Sequence, residues 1–317
     1  MMTRRDFLLS VTAATALGAQ VSCSKSGGAG PIPAIDTHTH FFDPTRPGGI
    51  PWPPKEDAFI YKPHYPKDFR LLAQPRNIVG TVVVEASELV EDNAWILELA
   101  KTNEEIVGLI GNLEPGKPEF AENLKRFSAD PLFLGLRFRG PINSHLGEAA
   151  ILADIKRLAD LDLTLDLHGG VAILPSVLMV ARTFPSLRIV VNHLPFSDWD
   201  GDLSAMKSAL GELVNHPNVF IKVSEVVRRV NGEVVVDPEF YRGRFDALLD
   251  LFGPDRLLYG SNWPECNRIA PYDDVWRVVD EYFATQSRDV AEKFFWRNSV
   301  VAYRWIPRGE SAKLVGR

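Results

Sequence analysis

Short apolar runs rich in valine, isoleucine and leucine recur along the chain and alternate with longer stretches whose apolar residues fall three and four positions apart. The first pattern is typical of buried β-strands and the second of amphipathic α-helices. The segment that ends in His38 and His40 is the first predicted strand. Seven further strands are predicted at 78–85, 106–112, 132–139, 163–168, 188–193, 219–224 and 256–261. The helices between them are predicted at 93–102, 118–127, 149–161, 171–184, 203–215, 240–252 and 273–284.

Strict alternation of strand and helix predicts a parallel sheet, because each helix returns the chain to the start of the next strand. The run at 79–84 is apolar on both faces, as in a parallel strand covered by helices. Eight such units in roughly 250 residues match a closed (β/α)₈ TIM barrel. A long loop at 44–66 follows the first strand, and a C-terminal helix is expected. The rival fold is an open doubly wound sheet, which often carries a glycine-rich turn where this chain has His-Thr-His.

Composition narrows the class of protein. The chain has 317 residues, of which 45% are hydrophobic and 24% charged, which suits a globular domain with a substantial core. Its formal net charge is −6, and it has no Lys/Arg-rich run beyond the extreme N-terminus. Nucleic acid is therefore not expected as a partner, and a small-molecule substrate is expected. The oligomeric state is left open.

The first thirty residues are expected to be a targeting segment. Arg4 and Arg5 precede an apolar, alanine-rich run to position 19, which resembles a twin-arginine export signal followed by a Ser/Gly linker. We expect the export machinery to bind this segment and the protein to be periplasmic. The alternative is that the segment is a membrane anchor. Cys23 is a candidate lipidation site. Beyond it only Cys266 remains, so no intrachain disulfide is expected. The barrel is predicted to span 31–307, with a flexible tail at 308–317.

Polar residues close the apolar runs. In a TIM barrel the active site lies at the C-terminal ends of the strands, so these residues are expected to meet. Four of the seven histidines fall at such ends. A single pair of strand-end histidines is more often simply hydrogen-bonded, but imidazoles from three strands favour a metal site. The strand-end residues are His38, His40, Glu85, Asn112, Glu114, Arg137, Arg139, His168, His193, Ser224, Glu225 and Asn262.

These residues carry a family resemblance. The chain resembles the amidohydrolase superfamily, and more closely its amidohydrolase-2 branch, which includes sugar-lactone hydrolases. The resemblance covers nearly everything from Ala34 to Trp305. The motifs that carry it are Asp-Thr-His-Thr-His at 36–40, Leu-His at 167–168, Val-Asn-His-Leu at 191–194 and Tyr-Gly-Ser-Asn-Trp-Pro at 259–264.

The resemblance implies that His38, His40 and His168 are metal ligands and that His193 is a ligand or polarises the substrate. Position 262 departs from the family pattern, because Asn262 stands where an aspartate normally binds the metal and accepts a proton. An amide oxygen coordinates a cation weakly and has no basicity near neutral pH. Either another group serves as the base or the chemistry has changed. The candidates are Glu225, Glu265 and Glu85, each with an ion-pair role as the alternative.

The fourth strand contains no lysine, whereas the binuclear superfamily members that the chain resembles carry a carboxylated lysine there. One divalent cation is therefore expected, zinc before manganese, with metal-free activity left open. Arg137 and Arg139 alternate with an apolar residue and would face one side, where they could bind a substrate carboxylate or lactone oxygen, with Glu85 and Trp263 as further substrate-binding residues. Trp52 and Trp199 are additional stacking candidates.

The resulting prediction is an exported hydrolase that opens a lactone by metal-assisted attack of water. The catalytic residues would be His193, Asn262 and Glu225, and the metal ligands His38, His40, His168 and Asn262. A decarboxylase or hydratase on the same barrel is an alternative, because Asn262 is easier to accept there. A barrel that has lost catalysis and serves as an envelope binding protein is the second alternative.

Overall fold

The computed structural model describes residues 30–193 and 203–315. The predicted export signal, Cys23 and Trp199 lie outside these residues. Among the described residues, no helix is both long enough and apolar enough to cross a membrane.

Eight parallel strands form one sheet in chain order, which confirms the predicted (β/α)₈ barrel. Each predicted strand has a counterpart whose ends differ by a few residues. Two further strands form a separate antiparallel hairpin inserted before the last barrel strand. The barrel strands are β1 (Ala34–Thr39), β2 (Ile78–Val84), β3 (Ile106–Gly111), β4 (Phe133–Arg139), β5 (Thr164–His168), β6 (Arg188–Val191), β7 (Val219–Val223) and β10 (Leu257–Tyr259), and the hairpin strands are β8 (Arg228–Val230) and β9 (Glu233–Val235).

Helices cover the outside of the sheet. The helices predicted from periodicity are present. The sequence pattern missed one helix, at the end of the long first loop. The expected C-terminal helix consists in the structure of shorter helices, two of which are joined by a π-helical turn at Lys293–Arg297. The helices are α1 (Pro66–Ala73), α2 (Asp92–Ala100), α3 (Phe120–Ser128), α4 (Ala149–Asp160), α5 (Leu174–Thr183), α6 (Leu203–Leu210), α7 (Pro238–Phe252), α8 (Tyr272–Ala284), α9 (Arg288–Glu292), α10 (Asn298–Tyr303) and α11 (Ala312–Val315).

The barrel closes between its first and last strands. The backbone N–H of His40 donates to the carbonyl of Trp263 at 2.8 Å, and the N–H of Asn262 donates to the carbonyl of His38 at 2.8 Å. The side chain of Thr37 adds a hydrogen bond of 2.6 Å to the carbonyl of Tyr259. These bonds place the paired histidines of the first strand beside Asn262, 222 residues later in the chain.

The core has two layers that follow strand alternation. Leu165 and Ile189 belong to the large cluster between strands and helices. Val190 and Leu258 belong to a smaller cluster inside the barrel, which continues onto Trp305 from the C-terminal segment. The C-terminal residues therefore cover the end of the barrel opposite the strand ends that carry the histidines.

Residues 308–315 differ from the expected flexible tail. Arg308 donates to the carbonyls of Ala100 and Ile106 at 2.7 and 3.2 Å. Ser311 is fully buried, and α11 follows it. Hydrogen bonds to a helix end and a strand start fix this segment, which its charged sequence did not indicate.

Gly135 tests the pairing of β4 with β5. A Cβ at this position would lie 1.9 Å from the carbonyl oxygen of Thr164, which is backbone and cannot rotate away. We expect Gly135→Ala to destabilise the fold by about 3 kcal/mol through strand displacement. The matched variant Gly147→Ala, where nothing lies within 4 Å of the added atom, should change stability by less than about 0.5 kcal/mol. Equal urea midpoints for the two variants would contradict this register.

Candidate active site

A pocket of about 270 Å³ lies at the C-terminal ends of the barrel strands, and we call it the central pocket. Most of the predicted site residues line it, although they come from six different strand ends. Chain folding therefore brings together distant side chains, such as His40 and Asn262, which are 222 positions apart. The lining residues are His40, Trp52, Ala86, Arg137, Arg139, His168, His193, Glu225, Asn262, Glu265 and Arg268.

His40 is held between two oxygen atoms. Its Nδ1 lies 2.9 Å from the carbonyl of Val84, and its Nε2 lies 3.0 Å from Oδ1 of Asn262. The amide orientation of Asn262 follows from its Nδ2, which donates to Glu225 at 2.7 Å. A neutral imidazole has one N–H, so it satisfies only one of these oxygens and turns a lone pair toward the other.

The other three strand-end histidines lie beside His40. The ring centroids of His38 and His40 are 5.0 Å apart, those of His38 and His193 are 4.5 Å apart, and those of His168 and His193 are 4.8 Å apart. Nδ1 of His38 is buried and makes no hydrogen bond to a described residue. The four imidazoles thus form one continuous group, as their strand-end positions predicted.

All four imidazoles are neutral at pH 7. Burial is the main cause, and the nearby cations Arg137 and Lys222 add to it by opposing a further positive charge. Burial lowers the pKa of His40 to about 3 and the pKa of His168 to about 4. The pKa values of His38 and His193 also lie well below the usual value for the same reason. Neutral imidazole is the form that coordinates a metal or accepts a proton.

Two guanidinium groups of the pocket share one carboxylate. Nε of Arg137 and Nε of Arg139 both donate to Oε1 of Glu85, at 2.7 and 2.8 Å. Arg137 also donates to the Glu85 carbonyl at 2.8 Å and is only 7% exposed, whereas the Arg139 side chain is 40% exposed. The predicted common orientation of the two arginines is present. Because one carboxylate faces two cations, this wall keeps a net positive charge.

Glu225, which follows β7, places a carboxylate in the same pocket as the arginines of β4. Besides accepting from Asn262, it lies 3.8 Å from Nε2 of His193, whose Nδ1 is 2.8 Å from the Ser224 hydroxyl. His193, Glu225 and Asn262 all have positive φ angles, of 65°, 54° and 62°. Left-handed backbone at residues other than glycine costs of order 1 kcal/mol each and clusters at functional sites. Three such residues in one pocket are typical of a functional site, and no sequence pattern indicated their left-handed backbone conformation.

A buried ion pair supports the pocket from within the barrel. Lys222 and Asp166 are both fully buried with their charged atoms 2.7 Å apart. Asp166 also accepts from Asn192 at 2.9 Å and from the Tyr303 hydroxyl at 3.0 Å. Sequence reasoning missed this group, although a lysine inside the apolar run at 219–223 was an available signal. It joins β5, β6, β7 and α10 beneath the histidines.

Trp263 lies away from the central pocket. Its ring is 3% exposed and contacts Phe41, Phe69 and His64 at centroid distances of 5.4 to 6.0 Å. Trp263 therefore packs in the interior, and this position does not support its predicted role as a substrate-binding residue. Trp52 lines the pocket instead. Glu265 also lines it but pairs with Arg268, which in turn pairs with Asp57 of the long first loop.

The donor set fits a single, weakly held cation. His40 Nε2 and Asn262 Oδ1 lie 3.0 Å apart, and each of these atoms can be a ligand to a cation. Two features weaken such a site. Arg137 lies 3.5 Å from Nε2 of His38. Within residues 30–193 and 203–315, no three His, Cys, Asp or Glu side chains are grouped as a ready-made metal site.

Comparison with known proteins places this pocket in a family context. A family model described as Amidohydrolase matches residues 35–305. The L-fucono-1,5-lactonase of Burkholderia ambifaria is 30% identical over 251 residues, which are 76% of this chain and 83% of that protein. The L-fucono-1,5-lactonase of Burkholderia multivorans is 25% identical over 305 residues, which are 88% of this chain and 98% of that protein.

Solved structures show the same fold. A crystal structure of an amidohydrolase from Burkholderia multivorans with bound HEPES has a TM-score of 0.76 and 24% identity, covering 86% of this chain and 99% of that one. A second crystal form of an amidohydrolase from this organism, with bound zinc, also has a TM-score of 0.76, at 23% identity and the same coverage. Since the family model spans the barrel from β1 to Trp305, this chain belongs to the amidohydrolase family.

Proposed function

We propose that this enzyme hydrolyses lactones in the central pocket, with Glu225 as the general base. The observation that carries the proposal is the arrangement of charge: a carboxylate held by Asn262 lines the same pocket as Arg137 and Arg139, whose one shared carboxylate, Glu85, leaves them a net positive charge. Acyl transfer to water needs a base on one side of the carbonyl and a cationic oxygen-binding group on the other.

The relatives support the choice of a lactone. Two curated proteins that match most of this chain are L-fucono-1,5-lactonases, one of them at 30% identity. A lactone presents a carbonyl oxygen, and its product is a hydroxy acid with a full carboxylate. A guanidinium fork can bind either group through paired N–H donors.

Arg139 is the group that we assign to the substrate oxygen. Its Nε is held by Glu85, and its side chain is 40% exposed and lines the pocket. Arg137 is held at both ends, by Glu85 and beside His38, so it acts as a positioning residue that also supplies positive charge. In the transition state the carbonyl oxygen becomes negative, and this wall stabilises it.

Glu225 supplies the proton transfers. It accepts a proton from water as the water oxygen bonds to the lactone carbonyl carbon, and an oxyanion forms facing Arg139. When this intermediate collapses, the bond between the carbonyl carbon and the ring oxygen breaks. Protonated Glu225 then returns its proton to the departing ring oxygen, which becomes the product hydroxyl. His193 lies 3.8 Å from Glu225 and, being neutral, does not compete for the proton at pH 7.

The proposal also includes a metal site. His40 and Asn262 would hold one divalent cation, with His38 and His193 adjacent. A bound cation would supply Lewis-acid polarisation of oxygen at this end of the pocket. The zinc in the Burkholderia multivorans crystal form favours zinc as the ion. Export through the twin-arginine route to the periplasm, based on residues 1–30, is likewise a proposal.

Glu225→Gln tests the base directly. An amide of the same shape keeps the hydrogen bond to Asn262 possible but cannot accept a proton, so kcat for lactone hydrolysis should fall about 10²- to 10⁴-fold. Glu265→Gln is the matched control, because it changes the other carboxylate of the same pocket, which is engaged by Arg268. Its loss should stay below about tenfold. Equal losses in the two variants would contradict the assignment.

The low histidine pKa values predict the pH profile. The pKa of His168 is about 4 and that of His40 about 3, so both rings stay neutral above those values and become protonated only as the pH falls through them. We expect kcat/KM to show no histidine inflection near pH 6.5, the usual imidazole pKa. A profile measured from about pH 5 to pH 8 with lactone substrate checks this. A tenfold loss per unit below pH 6.5 would show that one of these rings is protonated there.

Metal analysis tests the cation site. We expect about one zinc per chain after loading, lost in His40→Ala, which removes the imidazole beside Asn262. Asn262→Asp should bind zinc more tightly than the native chain, because a charged carboxylate replaces a neutral amide. His145→Ala, which changes an exposed histidine outside the pocket, serves as the control. Zinc binding that is unchanged in both pocket variants would contradict this site.

A further inference from the structure

One lining residue of the central pocket differs from the others. Apart from Trp52 and Ala86, every described residue that lines this pocket has a polar or charged side chain. Because Ala86 offers a single methyl group, Trp52 is the only large apolar side chain in the described pocket wall. A lactone has ring carbons as well as an ester group, and these carbons gain by leaving water only against an apolar surface.

The indole of Trp52 lies beside the groups that we assign to the reaction. Its ring centroid is 6.3 Å from that of His40 and 5.1 Å from that of Phe42. His40 in turn contacts Asn262, which holds Glu225. The planes of the indole and its two neighbours are inclined by 60° and 72°, so neither neighbour stacks on the indole in parallel. A ligand ring bound in the pocket can take that place.

The long first loop that carries Trp52 is fixed at two places. At its base, the backbone N–H groups of Phe42 and His64 each donate to the carbonyl of the other, at 3.1 and 2.8 Å. At the pocket, Arg268 is a lining residue and forms an ion pair with Asp57 of this loop. A wall that is already in place costs a ligand less conformational entropy than a wall that must first be ordered.

We propose that Trp52 is a substrate-binding residue whose indole stacks on the lactone ring and makes the pocket selective for cyclic esters over open-chain esters. This inference rests on the proposed lactone hydrolysis. The ester group meets Arg139 and Glu225, and the ring carbons lie against the indole. An open-chain ester has no preformed ring and loses rotational freedom when it binds the same surface, so it gains less from the contact.

Trp52→Ala tests the contact by kinetics. We expect KM for δ-valerolactone to rise about tenfold, because the stacked surface is lost, and kcat to change less than about threefold, because the proposed base and oxygen-binding group remain. Trp52→Phe keeps an aromatic face and should recover most of the loss.

An open-chain substrate tests the selectivity. Ethyl propanoate is an ester with the same number of carbons as δ-valerolactone. The ratio of kcat/KM for the lactone to kcat/KM for this ester should fall about fivefold in Trp52→Ala, because only the ring loses a stacking partner. A ratio that stays at the native value would overturn the proposal while leaving lactone hydrolysis in place.

Trp95→Ala is the matched control. Trp95 of α2 is also partly buried and contacts the long first loop through Arg46 and Tyr65, but it does not line the central pocket. This variant shows whether support of the loop alone sets KM. We expect its KM and its ratio of cyclic to open-chain turnover to stay within about twofold of the native values. Equal rises of KM in Trp52→Ala and Trp95→Ala would assign a structural role to Trp52 and overturn the proposal.

A binding measurement separates this inference from the proposed function. δ-Valerolactam has the same ring size, and its amide resists hydrolysis, so its binding requires no turnover. Stacking on an indole moves the NMR signals of ring methylene protons upfield. We expect this shift with the native chain and with Trp95→Ala, and its loss in Trp52→Ala. The shift without hydrolysis of any lactone would support the stacking and overturn the proposed function alone. No upfield shift with the native chain, whether or not the lactam binds, would overturn the stacking.

Discussion

The site depends on closure of the barrel between β1 and β10. Asp36 fixes this junction: its carboxylate accepts from the backbone N–H groups of His38 and Ser261 at 3.1 and 2.9 Å, and from the Tyr272 hydroxyl at 3.1 Å. Burial raises the pKa of Asp36 to about 6, and these donors oppose that rise. The junction brings His40 against Asn262, so the two ends of the sheet supply adjacent donor atoms. An open sheet would leave them far apart.

Charge is distributed unevenly around the resulting pocket. Burial is the main reason that the imidazoles are neutral, and Arg137, Arg139 and the buried Lys222 add to it, while Glu225 contributes a carboxylate to the same pocket. The substitution of asparagine at position 262 fits this arrangement, because its amide both faces His40 and donates to Glu225. In the proposed mechanism, Glu225 at the end of the neighbouring strand takes the proton-accepting role that an aspartate would fill. A neutral amide also limits how strongly the pocket can hold a cation.

Sequence periodicity predicted the barrel because both halves of each βα unit bury an apolar face, and the rule that sites lie at the C-terminal strand ends then selected His40, His168 and Asn262. It could not reveal which side chains turn into the pocket. Trp263 follows a strand end like Asn262, yet it packs against Phe41. The positive φ of Glu225, the pairing of Lys222 and the fixed C-terminal segment depend on contacts distant in sequence, which local patterns do not encode.

The most direct test of the central claim is to hydrolyse a lactone in water enriched with ¹⁸O and locate the label in the product. If Glu225 activates water for attack on the carbonyl carbon and Arg139 stabilises the oxyanion, one labelled atom is expected in the carboxylate and none in the new hydroxyl group. A label in the hydroxyl would show that water attacks the alkyl carbon instead. That result, or the absence of turnover with any lactone, would contradict the account.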